Sequence, residues 1–162
     1  MTNSNGKIKI RRMVDADLRR VNEIDSLLFG EKRVRTWPFS FQTYWNIYGS
    51  GGTFVAELDG NLAGFLAGNI AEKERSQSIL DLMYTIGRSH RVEKIGWIDM
   101  IGVLPASQGK HVGQALVEAF YQECKRNGAP LRGIVKEGDE QLGNFLIKQG
   151  FRKWETATYE KE

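Results

Sequence analysis

Two periods of apolar and polar positions divide the chain, and the switches between them predict its elements. KIKIRRM alternates with period two and reads as an opening strand. In ADLRRVNEIDSLLFG, Leu18, Val21, Ile24, Leu27 and Leu28 make the stripe of an amphipathic helix, with Asp15 as its natural cap and Gly30 as its stop. EKRVRTWP reads as a loop, after which Ser40 is placed to cap a short helix carrying Phe41, Tyr44, Trp45 and Tyr48. GGTFVAELDGNLAGFLAGNI is a hairpin in which Phe54, Ala56 and Leu58 alternate toward an Asp59-Gly60 turn. Residues 71–95 are polar at both ends and read as a helix or an irregular insertion. GWIDMIGVL reads as a buried strand that Pro105 stops.

The period then returns to that of a helix. Val112, Ala115, Leu116, Ala119, Phe120 and Cys124 share one face, and Gly128 closes the element. LRGIVKE follows as a strand, Glu140 to Gln149 as a helix closed by Gly150, and FRKWETATYE as a last strand. The order β-α-α-β-β-insert-β-α-β-α-β predicts a mixed α/β sheet with helices on both faces.

Composition narrows the function classes. At 162 residues with 41% apolar and 27% charged positions, the chain suits one domain, 1–162, around one core. It has no run near the roughly 18 apolar residues of a membrane span, and MTNSNGKIKIRR has no apolar signal-peptide centre. A cytoplasmic protein without a membrane partner is expected. One cysteine excludes an internal disulfide framework, and two histidines with one cysteine argue against a zinc site. Cys124 lies on an apolar helix face and reads as packing. The net charge of +3 is small and its basic residues are scattered, which argues against nucleic acid.

The chemistry concentrates in LPASQGKHVGQAL, residues 104–116, where a strand passes through a glycine-containing turn into a helix. The first N–H groups of a helix lack internal partners and carry the positive end of its dipole. With glycines that admit close approach and with Lys110, the turn suits a pyrophosphate. An ordinary connection satisfies the same residues. It is not a Walker loop, because His111 follows Lys110 where Ser or Thr would hold magnesium, and GKHVG lacks the dinucleotide fingerprint.

IGVLPASQGKHVGQALV resembles the acetyl-CoA-binding motif of the GNAT family of N-acetyltransferases, Gln/Arg-x-x-Gly-x-Gly/Ala after a strand ending in Val-x-Pro. IKIRRMVDADLRRVNEID is similar to that family's opening strand and helix, FVAELDGNLAGFLAG to its hairpin, and FLIKQGF to its closing helix–strand step. The resemblance implies a mixed, mostly antiparallel sheet flanked by helices on both faces, with acetyl-CoA as cofactor. It places the pyrophosphate on the amides of Gln108, Gly109, Lys110, His111, Val112 and Gly113. The pantetheine arm would pair with the strand at Ile101, Gly102 and Val103 as an added strand does. An amide near Val103 would polarise the thioester carbonyl, and an acceptor amine would attack directly.

Three positions depart from the family pattern. His111 replaces the usual glycine and needs a left-handed conformation or a narrower cradle, and it reads as a modified binder. Leu146 replaces the tyrosine that commonly protonates the leaving thiolate, a role left to water or to a hydroxyl such as Tyr84 or Tyr159. Asp139 replaces a cofactor-contacting asparagine and is placed to cap the closing helix. Trp37-Pro38 with its aromatic helix is similar to the acceptor side of ribosomal-protein N-terminal alanine acetyltransferases, yet that group's catalytic glutamate position is Ile134 here.

An acceptor arrives as ammonium and must lose a proton. Asp99, a carboxylate within an apolar strand, is the candidate base, and Glu57 on the hairpin is the second choice; packing against an arginine or a backbone group competes with both. Trp37 and Tyr84 are the candidate acceptor residues, the first beside Tyr44 and Trp45, the second beside Arg88 and His90. The expected function is acetyl transfer from acetyl-CoA to a primary amine, on a small molecule or a peptide, in a ternary complex. The alternatives are a non-catalytic acyl-CoA-binding or regulatory protein and an interaction module; a homodimer is left open.

Overall fold

The computed structural model describes residues 6–30, 33, 39–72 and 94–154. Among these residues five strands form one sheet in the order β1 (Ile8–Arg12), β2 (Thr53–Leu58), β3 (Asn61–Glu72), β4 (Lys94–Val103) and β5 (Leu131–Gly133). Three pairings are antiparallel, and β4 with β5 is parallel. The helices are α1 (Leu18–Leu28), α2 (Phe41–Tyr48), α3 (Val112–Arg126) and α4 (Glu140–Lys148). The mixed, mostly antiparallel sheet with helices on both faces is therefore the fold observed.

Strand alternation sends alternate side chains to opposite faces, and each face builds its own core. On one, α1 and α2 bury Val21, Ile24, Phe41 and Tyr44 against Val55, Phe65, Ala67 and Met100. On the other, α3 buries Val112, Leu116, Phe120 and Cys124 against Phe54, Ala56, Leu66 and Ile98. Each of the Val, Leu, Ile, Phe and Met side chains among them contributes about 1.5–3 kcal/mol through removal from water. Glycine lets α3 approach closely: a Cβ on Gly68 would lie 2.5 Å from Phe120 and 2.7 Å from the Trp97 carbonyl.

Most expected boundaries hold. Ser40 Oγ accepts from the Thr43 N–H at 3.3 Å, and Asp139 Oδ1 accepts from the Leu142 N–H at 3.0 Å, so both caps are real. Asp59 and Gly60 have φ of 52° and 81°, as a tight hairpin turn requires. Asp15 does not cap α1. It opens a short 3-10 turn, and Asp17 instead accepts from the Val14 N–H at 3.0 Å while Arg11 grips it at 2.6 and 2.8 Å.

The C-terminal third differs more. LRGIVKE forms a strand only at Leu131–Gly133, and residues 151–154 form none. The insertion from 73 to 93, Trp37, Tyr84, Arg88, His90 and Tyr159 lie outside the described residues.

Candidate active site

A single irregularity in β4 organises the site. Ala67 of β3 pairs with Met100, but its neighbour Gly68 pairs with Ile98, so Asp99 is the extra residue of a β-bulge. The bulge reverses alternation: Ile98 packs on the α3 face and Met100 on the α2 face. Asp99 consequently shares a face with Met100, not with Ile101 and Val103, which pack toward α3. Simple parity from the sequence puts it on the wrong side, since a bulge leaves no mark in the apolar pattern.

On that face Asp99 meets two polar partners from other elements. Asn69 Nδ2 donates to Asp99 Oδ2 at 2.6 Å, and the Tyr44 phenol sits against the same carboxylate. Burial pushes the Asp99 carboxyl above its ordinary value, while the contacts with Asn69 and then Tyr44 pull the other way. Burial first, and then the Asp99 charge, pushes the Tyr44 phenol well above its own. A carboxylate so placed accepts a proton more readily than one in water. Glu57 is committed elsewhere, with Arg11 Nε at 2.7 Å and Lys9 Nζ at 3.8 Å.

The bulge lies where β5 leaves the sheet. β5 pairs with β4 from Gly96↔Leu131 to Ile98↔Gly133 and no further, and Ile134 next to it is exposed. β4 runs on to Val103, so its edge from Asp99 onward is open on the β5 side among the described residues. Leu104 gives its N–H to Ala63 of β3, so Val103 and Ile101 turn their backbone groups to the open edge. Gln108 Nε2 donates to the Val103 carbonyl at 3.1 Å, which ties the turn to the strand end.

Beyond it, Pro105–Ser107 is a 3-10 turn closed by the Gln108 N–H donating to the Pro105 carbonyl at 3.2 Å. Gly109 has φ of 75° and no atom within 4 Å of where a Cβ would stand, so it borders open space. His111 adopts the left-handed conformation, φ 63° and ψ 11°, immediately before α3. Its ring turns aside, Nδ1 lying 3.1 Å from Gln114 Oε1, and so leaves the backbone accessible. The Ala115 N–H is bonded to the His111 carbonyl, which leaves those of Val112, Gly113 and Gln114 without a helical acceptor. These amides, the open space at Gly109 and Lys110 fit a pyrophosphate. Gly113 serves packing as well: a Cβ there would meet the Phe145 ring at 3.2 Å.

The remaining candidates sort by burial. Leu146 is buried, a Cβ on Gly133 would lie 3.4 Å from its Cδ1, and it carries no proton donor. Phe41 and Tyr44 are core residues, with Phe41 edge-on to Phe65 at 5.0 Å between ring centres. Cys124 is buried and its thiol is pushed up to about 11, which removes it from nucleophilic chemistry near neutrality. Sequence reasoning missed Asn69 and the meeting of Tyr44 with Asp99. An asparagine in the otherwise apolar FLAGNI was the available signal.

The sequence model described as "Acetyltransferase (GNAT) family" matches residues 18–151. No match was found among the curated proteins. Among solved structures, the aminoglycoside acetyltransferase AAC(6')-Iy in complex with the bisubstrate analogue CoA-S-monomethyl-acetylneamine is 15% identical, with a TM-score of 0.72 over 96% of this chain and 98% of that one. The aminoglycoside 6'-N-acetyltransferase AAC(6')-Ig from Acinetobacter haemolyticus is 15% identical, with a TM-score of 0.69 over 95% and 97%. An acetyltransferase from Trypanosoma brucei is 19% identical, with a TM-score of 0.66 over 96% and 100%.

Proposed function

From a chain that belongs to the acetyltransferase (GNAT) family, whose cofactor is acetyl-CoA, we infer an enzyme that transfers the acetyl group to a primary amine by direct attack in a ternary complex. The observation that carries this reading is the coincidence at Asp99. There β5 departs, the β4 edge opens toward the 108–113 turn, and a half-buried carboxylate faces the opposite layer.

Bound acetyl-CoA supplies an activated acyl thioester. The amides from Gly109 to Gly113 and Lys110 hold its diphosphate. Ile101 and the Val103 N–H offer the edge groups that pair with an amide-bearing arm, while Gly102 between them makes room for Leu28 and Phe65 in the core. A Val103 N–H held rigidly in the sheet is a preorganised donor for a carbonyl oxygen that gains negative charge. Asp99 takes a proton from the incoming ammonium at its carboxylate, aided by a raised proton affinity. With Leu146 at the family's acid position, no side chain of α4 returns a proton to sulfur. A thiol with an ordinary pKa of about 8.5 leaves tolerably without that help.

The acceptor is a small molecule or a peptide amine. The aminoglycoside enzymes that share the fold favour the small molecule, and residues 1–162 are read as one acetyltransferase domain. Trp37 and Tyr84 remain proposed acceptor contacts. No helix among the described residues is long and apolar enough to cross a membrane. Buried Leu146 favours a second reading, an acyl-CoA-binding protein without turnover. Release of free thiol from acetyl-CoA across an amine panel separates the two. Amine-dependent release is expected, and tight coenzyme A binding without release from any amine would establish the second.

A further inference from the structure

Arg132 is the sole charged residue of β5, and its surroundings are unusual for a surface arginine. Its guanidinium carbon lies 5.8 Å from the centre of the Trp97 ring and 4.5 Å from that of Trp154. Two indoles thus contact one cation, each attracting it through its negative ring face. Among the described residues no carboxylate pairs with it, whereas Arg11, Arg12, Arg20, Arg33 and Arg126 all have acidic partners. Trp154 is 58% exposed, so the stack stands at the surface.

The register fixes which surface this is. A Cβ on Gly96 would run into Cys124 of α3, and Leu131 lies beside it, so Gly96 and Leu131 face α3. Their neighbours Trp97 and Arg132, which pair with each other, face the opposite side. That is the face on which Asp99 meets Asn69 and Tyr44. Asp99 is two residues along β4 from Trp97, and Arg132 is one strand across. Strand dimensions put the Asp99 and Arg132 Cα atoms roughly 8 Å apart.

We propose that Arg132, in contact with Trp97 and Trp154, binds a carboxylate on the acceptor, so that the substrate class is an amine bearing an acid within reach of Asp99. The inference rests on the acetyltransferase reading for the position of the amine. The two ring contacts restrain the guanidinium, and no carboxylate among the described residues takes up its fork of N–H donors, which suits a two-bond grip on a carboxylate. The ammonium then lies at Asp99 and the acid at Arg132, each charge meeting its opposite. A polyamine would meet Arg132 with like charge and is excluded by it.

Calorimetric titration tests this, with and without coenzyme A present, using ω-amino acids from glycine to aminohexanoate against the carboxamide of each. At least one acid should bind about tenfold or more tightly than its carboxamide, as expected for a charge-assisted pair. Arg132→Gln should erase that preference and leave coenzyme A affinity unchanged. Arg132→Lys keeps the charge but loses the fork, and should recover only part of it. Asp-Ala against Asn-Ala dipeptides distinguishes an acidic peptide terminus from a free amino acid as the source of the carboxylate. Equal binding of acid and carboxamide throughout, no binding of any acid, or a preference that survives Arg132→Gln overturns the assignment. The transferase reading fails in a different way: an acid that binds in preference to its carboxamide, yet releases no thiol from acetyl-CoA, supports the Arg132 site and removes the reaction.

Discussion

Asp99 is the proposed base, so its replacement separates chemistry from binding. Asp99→Asn preserves shape and hydrogen bonding to Asn69 and should lower turnover on the order of a hundredfold. Coenzyme A affinity should stay unchanged by calorimetry. Asn69 donates to the charged carboxylate and opposes the effect of burial. Asn69→Leu should therefore move the acid limb of the pH–rate profile to higher pH; a packing role alone would lower the melting temperature and leave the limb in place. Stability has its own sign. The native Asp99 pKa lies above the unfolded one, so its contribution is most favourable below the ordinary carboxylate value and weakens as pH rises through the raised value. Asp17, lowered chiefly by its hydrogen bonds to Arg11, does the reverse and loses its contribution as pH falls through its native value. Asp99 was legible in the sequence as a carboxylate within an apolar strand. Its partners were not, because Tyr44 and Asn69 reach it from two other elements and the bulge reverses the alternation that would have paired them.

Elements with strong local signals were legible almost to the residue. The Asp59-Gly60 hairpin and α3 have their own turn and stop chemistry, with Gly128 at φ 66° ending the helix as expected. β5 was overextended to LRGIVKE, since its end is set by the bulge in β4 and not by its own residues. The strained entry to α3 was foreseen at His111, where a side chain at positive φ costs about 1 kcal/mol. His111→Gly should raise stability by up to about that amount in chemical denaturation, offset in part by glycine's greater chain entropy. Coenzyme A binding should persist, because the ring points to Gln114 and the amide remains. Lost binding would show that the imidazole itself holds the phosphate.

Across the whole molecule, the family match over residues 18–151 and structural likeness at about 15% identity describe one scaffold under divergent surfaces. In this chain the scaffold presents a strand edge beyond a bulge and a turn leading into the free amides of a helix start. The proposed acceptor side is where Asp99, Asn69, Trp97 and Arg132 converge from three strands. The central claim is that the backbone from Gly109 to Gly113 holds acetyl-CoA, the Gln108 N–H expected to join it being bonded to Pro105, and Gly109 isolates it. No protein atom lies within 4 Å of a Cβ there, so a side chain would project into the space assigned to the phosphates, at a strain of about 1 kcal/mol from its φ of 75°. The most direct measurement is calorimetric titration of coenzyme A onto the wild-type protein and Gly109→Val, with both melting curves recorded. Binding by the wild type, weakened about tenfold or more in a variant that still melts cooperatively, is the predicted result. Equal affinity in the two proteins, or no binding by the wild type, would contradict it.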